Sequence, residues 1–161
     1  MSRLYFIKVA ISVLVSLNFW SAWASSPLAK YQQLTTQEIS RIVEEITGAI
    51  ENHDVQKLKV LIEKHGSNPQ VMNFEDPKKT SKNFGPEILS TLVRAVSDAT
   101  MSFGIVSSTA QTFETFKIVL EAKALDINRQ IFKGRLLIDT LDDTRSARYL
   151  YYLIKTRNDI D

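Results

Sequence analysis

The sequence predicts an all-α fold, a short solenoid of three antiparallel helix pairs. Asp126-Ile127-Asn128 is echoed by Asp159-Ile160-Asp161, 33 residues later, and self-similarity at such a period marks supersecondary units that stack on one another. Apolar residues recur at helical spacing in six separate stretches, each able to bury one face. The period-two alternation of a half-buried strand appears nowhere at length. Units of this kind offer turns and helix faces to a partner rather than a buried pocket of convergent polar groups, so binding is the activity to expect.

Thr35 followed by Glu38 has the spacing of a capping box, and Ile39, Ile42, Val43, Ile46 and Ile50 then fall on one helical face. Asn52-His53-Asp54 interrupts that helix, and Asp54 is placed to cap a second carrying Val55, Leu58, Leu61 and Ile62. A turn this tight makes the two helices antiparallel. Ser67 to Phe84, rich in Asn, Lys, Ser, Thr and Pro, reads as an exposed excursion that Gly85-Pro86 ends. Pro86 opens a third helix with Ile88, Leu89, Leu92, Val93 and Val96 on one side. Thr100 to Gln111 reads as a second irregular segment, with Met101, Phe103 and Ile105 expected to pack inward. Thr112 is expected to cap a fourth helix that turns Phe113, Phe116, Val119 and Leu120 to the core. Leu125 to Gly134 is a turn unit, Leu136 to Leu141 a short fifth helix, and a sixth begins at Asp143 or Thr144. Ala147, Leu150, Tyr151 and Ile154 give the sixth helix its apolar stripe, with Tyr149 and Tyr152 on the outward side.

The pairs align with one another. Gly85-Pro86-Glu87-Ile88-Leu89-Ser90-Thr91-Leu92 matches Gly134-Arg135-Leu136-Leu137-Ile138-Asp139-Thr140-Leu141 at its Gly, Thr and Leu positions, at an offset of 49 residues. The excess over 33 corresponds roughly to the irregular segment after Ala99, which reads as an insertion in one repeat. These residues resemble the ankyrin-repeat family. Ala49-Ile50-Glu51-Asn52-His53-Asp54, followed by Leu58 and Leu61, is similar to the family's junction between inner and outer helices, and Leu61 to Gln70 is similar to its outer-helix end and turn. Asp126-Ile127-Asn128 through Gly134 has its turn-to-glycine spacing. The resemblance spans about Thr36 to Asp161 as three degenerate units. It departs where Leu136-Leu137-Ile138-Asp139 replaces Thr-Pro-Leu-His, where the turn from Ser67 to Gly85 is overlong, and at Arg157, where glycine is usual. A divergent helical hairpin array of another type would produce much of the same pattern.

Residues 1–24 are expected to be a signal peptide. Arg3 and Lys8 precede and flank an apolar core from Val9 to Phe19, and Ala22 and Ala24 supply small residues before a cut ahead of Ser25. The apolar run is interrupted by Ser12, Ser16 and Asn18 and is short of the ~20 residues that a spanning helix needs. An uncleaved anchor is the alternative; with cleavage, no stable membrane insertion is expected. Residues 25–161 then form one helical domain, in which 18 basic residues balance 18 acidic ones. That neutrality argues against nucleic acid as a partner. The chain has no cysteine, which excludes disulfides, thiolate catalysis and cysteine-rich zinc sites, and an exported chain without disulfides fits a bacterial periplasm.

The partner expected is another protein, a toxin or a periplasmic enzyme, and neither a cofactor nor a metal is expected. Arg129, Gln130, Phe132 and Lys133 occupy the turn tip, which in ankyrin-like arrays projects towards partners, and Arg and exposed aromatics are favoured interface anchors. Phe74, Lys78, Lys79 and Lys82 put an aromatic and three charges in the long excursion, as a protein-binding or plain solvated loop. His53 and His65, the only imidazoles, sit at helix ends without a local nucleophile or orienting carboxylate. Ser107-Ser108 lacks the glycines of a nucleophile elbow. A small hydrolase using Asp139, Asp142 or Asp143 is the rival reading, set against their use as helix caps.

Overall fold

The computed structural model describes residues 34–77, 85–101, 106–131, 135–141 and 146–160, without the side chains of 106–109. The chain divides into Met1–Leu34 and Thr35–Asp161. Everything below concerns the second unit, and the expected signal peptide lies outside the described residues. Among the described residues of this unit there are seven helices: α1 (Thr36–Glu51), α2 (Val55–His65), α3 (Pro69–Met72), α4 (Glu87–Met101), α5 (Val106–Leu120), α6 (Leu137–Thr140) and α7 (Ala147–Thr156). Among the described residues there is no strand, so the all-α class holds.

The first pair follows its sequence signals closely. The Thr35 hydroxyl accepts from the Glu38 amide at 3.3 Å, and the Glu38 carboxylate accepts from the Thr35 amide at 2.8 Å, closing the capping box. The Thr35 amide, and after it the Thr35 hydroxyl, which donates to the same carboxylate at 2.8 Å, hold the Glu38 carboxyl below its ordinary range. Ile39, Ile42, Val43, Ile46 and Ile50 are all buried. His53 takes a left-handed φ of 51°, a conformation in which His is among the enriched residues. The Asp54 carboxylate then accepts from the Lys57 amide at 3.0 Å to start α2.

Three expectations fail in the middle of the chain. The stretch after Ser67 is not wholly an exposed excursion: the Asn68 side chain accepts from the Gln70 amide at 3.0 Å, Pro69 opens α3, and Val71 and Met72 have no exposed surface. A single helical turn is too short to show a period, but a cap residue followed by proline was its signal. Secondly, α5 begins at Val106, so Thr112 is no cap but a fully buried residue inside the helix. The Ser and Thr residues of its first turns have middling helix propensity, and packing of Phe116, Val119 and Leu120 against the core overrides it. Met101, expected inside, is 68% exposed; Phe103 and Ile105 lie outside the described residues.

α7 also turns a different face to the core than expected. Tyr149 and Leu153 are buried, whereas Tyr151 is 68% exposed and Ile154 56% exposed. Phe113 and Phe116 of α5 decide the rotation. Tyr149 meets their rings edge-on at centroid distances of 5.3 and 5.1 Å, and Tyr152 does so at 5.7 and 6.5 Å. Edge-to-face pairs add to the area that such rings bury. Arg148 then lies over Phe113, 3.8 Å from its centroid, and burial pushes the Tyr149 hydroxyl's pKa up.

Helix contacts run in two series. α1 packs on α4 and α4 on α6, while α2 packs on α5 and α5 on α7; α1 also meets α2 and α3, and α4 meets α5. Successive turns are clasped to each other by side chains. Asn73 donates to the Ala124 carbonyl at 2.7 Å and accepts from the Asp126 amide at 2.9 Å. Asn128 donates to the Asp159 carbonyl at 2.6 Å, so the two members of the 33-residue echo are in direct contact. Gly85 approaches the neighbouring turn closely: its amide donates to the Ile131 carbonyl at 2.7 Å, and a Cβ there would stand 1.8 Å from the Gln130 oxygen. Since backbone must move to admit a methyl group, Gly85→Ala is expected to cost about 2 kcal/mol, read as a lowered urea midpoint with an unchanged slope.

Candidate functional site

α4 has two chemically distinct sides. Ile88, Leu89, Leu92, Val96 and Ala99 are buried, while Glu87, Ser90, Arg94 and Ser97 recur at helical spacing on the other side. Thr47 and Glu51 of α1 border that polar stripe on one flank, and Ile131, Arg135 and Thr140 border it on the other. Together they form a groove of about 1040 Å³ that crosses α1, α4 and the turn into α6. Short hydroxyls, from Thr47, Ser90, Thr91, Ser97 and Thr140, stand among as many charged groups, with Val93 and Ile131 as apolar lining. A second cleft of about 350 Å³, reaching His53 and Thr112, shares Glu51, Thr91, Arg94 and Asp98 with it.

Arg94 stands in the groove and donates to the Glu51 carboxylate of the neighbouring helix at 2.5 Å. With 62% and 54% of the two side chains exposed, such a pair adds at most about 1 kcal/mol to stability. Its importance is positional, because it holds a guanidinium upright in an open groove, where Arg is a favoured interface anchor. None of the groove residues was singled out from the sequence. Their signal was available in the polar positions of α4 that alternate with its buried ones, a pattern easily dismissed as a solvated face.

The turn-tip residues come together in part. Arg129 donates to the Asn73 carbonyl at 3.1 Å and pairs with Glu75 at 3.4 Å. Half-buried Phe74 accepts from the Glu87 amide through its carbonyl at 3.0 Å. Gln130 is exposed, beside the close approach of Gly85. Phe74, Arg129 and Gln130 thus line one edge next to the groove, with the Arg129 guanidinium already engaged in holding the upstream turn. Phe132, Lys133, Lys78, Lys79 and Lys82 lie outside the described residues.

The titratable candidates have structural partners or settings. The Asp139 carboxylate accepts from the Leu136 amide at 3.0 Å and so caps α6; Asp142 and Asp143 lie outside the described residues. Burial holds the His65 imidazole below its ordinary pKa, and neighbouring Lys64 acts in the same direction, against Glu45. The buried Nδ1 of His53 has no hydrogen-bond partner among the described residues. Among those residues no group of three His, Cys, Asp or Glu could hold a metal ion, and no helix is long and apolar enough to cross a membrane. No family model matches this chain, and no curated protein or solved structure shows significant similarity to it.

Proposed function

We propose that this protein is an exported, non-enzymatic binding module of ankyrin-like helix pairs, whose groove and adjoining turn edge cover part of another protein. The groove across α1, α4 and the turn into α6 carries the reading. Short hydroxyl side chains leave room for a partner's backbone and offer it hydrogen bonds, and the charged groups among them fix its orientation. The two contact series support the stacked-pair architecture, because in such an array each pair meets only its neighbours. The leader-like residues 1–24 and the absence of cysteine favour the periplasm as the compartment. There the partner is a toxin or a resident enzyme, and the action is occlusion of its active site or protection of its fold, as an immunity protein or an accessory subunit.

The test is recovery of the tagged protein, with its own leader, from periplasmic extract under gentle conditions. A stoichiometric protein partner is expected with the unaltered chain, and Ser97→Trp, which fills the groove, should lower its recovery roughly tenfold or more without lowering thermal stability. Absence of a partner, or recovery indifferent to Ser97→Trp, would overturn the reading.

A further inference from the structure

The smaller cleft beside the groove contains a polar atom that the fold leaves without an answer. It lies where the end of α1 meets α4 and α5, has a volume of about 350 Å³, and shares Glu51 and Arg94 with the groove. His53 lines it, and the Nδ1 of that imidazole is buried without a hydrogen-bond partner among the described residues. In a native fold such an atom is met by water or by a ligand, because leaving it unpaired costs the desolvation of a polar group. Water serves in the free protein, but the space far exceeds what one water needs. Arg94 and Glu51 are engaged with each other, and Asp98, which also lines the cleft, has interactions of its own. An ion entering here would give up its hydration with no unpaired counter-charge to meet it. Thr91 and Thr112, 7% and 0% exposed, bring hydroxyl groups to the lining, and Ala95 and Ala99 bring only methyl groups. What remains on offer is neutral hydrogen bonding between small apolar walls.

A carboxamide matches that chemistry. It holds donors and an acceptor in one plane, so it pairs with His53 Nδ1 whichever ring nitrogen carries the proton, and with a hydroxyl beside it. Ser and Thr side chains also donate and accept, but hold their hydroxyl against their own backbone. We propose that the cleft is the specificity pocket of the groove and receives a Gln or Asn side chain of the bound protein, with its amide hydrogen-bonded to His53 Nδ1. This rests on the binding reading of the groove and adds to it the kind of side chain that the partner carries. A partner with an apolar side chain at that place leaves Nδ1 unpaired, which is how a buried polar group discriminates between ligands.

Nuclear magnetic resonance of the purified full chain tests the pocket, with butyramide as the probe. The chain has only two imidazoles, so the His53 resonances are readily assigned, and butyramide should shift them saturably in the millimolar range, as so small a ligand allows. Butanol, butyrate and butylammonium, of similar size, should shift them less at equal concentration. Ala95→Leu fills the pocket from its wall and should weaken butyramide binding roughly tenfold or more. His53→Gly, which keeps the left-handed φ of 51° without strain, should do the same, read at the Ala99 methyl resonance, and helical circular dichroism confirms that both variants are folded. Each variant should also lower recovery of the periplasmic partner. No saturable shift with butyramide, an equal response to butanol or to either ion, or recovery of a partner indifferent to both variants overturns the pocket and leaves the groove standing. Butyramide binding without any recovered partner would instead remove the groove's protein partner and leave a pocket that takes a small amide.

Discussion

Replacing Phe116 by Ala lowers the stability of this protein by about 4 kcal/mol, the scale for deleting a fully buried aromatic ring and leaving a cavity. Phe116 has no exposed surface and meets both Tyr149 and Tyr152 edge-on, so its loss removes the surface on which α7 rests. Chemical denaturation followed by helical circular dichroism gives the number. Tyrosine fluorescence should also change before the main transition, as α7 releases ahead of the rest. Phe116→Leu, which keeps most of the volume, should recover more than half of the loss. A cost of less than about 1 kcal/mol for the alanine variant would mean that α7 is held by something other than this aromatic cluster.

The second large effect belongs to Arg157. Its guanidinium donates to the Leu120 and Ala122 carbonyls at 3.3 and 3.5 Å and to the Leu125 carbonyl at 2.6 Å, with its side chain 9% exposed. It thereby places a cation at the C-terminal end of α5, where the helix dipole is negative, and gives a partner to the Leu120 carbonyl that helix geometry leaves open and to the Leu125 carbonyl, whereas the Ala122 carbonyl also accepts from the Leu125 amide at 3.2 Å. Arg157→Ala strands the Leu120 and Leu125 carbonyls and is expected to cost about 3 kcal/mol. Arg157→Lys should recover little, because a single ammonium does not reproduce the fork.

Asp159 completes the clasp, accepting from Arg157 at 2.7 and 2.6 Å. The Arg157 hydrogen bond holds the Asp159 carboxyl below its ordinary value of 3.8. A carboxyl depressed in the folded state contributes stability that is present above the ordinary carboxylate range and is lost as the pH falls through the folded pKa. His65, lowered from 6.5 by burial, acts in the same sense, since protonation is resisted in the folded chain. Stability should therefore decline on acidification in two stages, below the ordinary imidazole range and again below that of Asp159. The Arg157→Ala variant should lose the Asp159 share of the second stage and keep the His65 stage and the share of Glu38, which Thr35 also holds below its ordinary range.

Much of this architecture was legible where a local signal coincides with a packing need. Thr35 with Glu38, Asp54 and Pro86 each mark a helix start because the backbone amides there require exactly such partners or their absence. The failures occurred where two local solutions are equivalent. On α7, the set Ala147, Leu150, Tyr151 and Ile154 and the set Tyr149, Leu150, Tyr152 and Leu153 both have helical spacing. Phe113 and Phe116, more than thirty residues away, select the second. Arg157 stood out only as an absent glycine, because its partners are carbonyls, which a side-chain alphabet does not display. The groove was hidden for a related reason: Thr47, Ser90, Ser97 and Thr140 are unremarkable singly and acquire a function only as neighbours.

The asparagine clasps between turns also bear on how motion is distributed. Asn73 joins the first turn to the second, and Asn128 joins the second to the third. The α4–α5 pair is covered on both flanks, whereas α7 rests on α5 alone among its main helix contacts. Amide protons should therefore exchange with solvent in a graded order, slowest in α4 and α5 and fastest in α7, rather than all at the rate of global unfolding. Within this unit a protected middle, α4 and α5, therefore carries a terminal helix that can loosen without the rest unfolding.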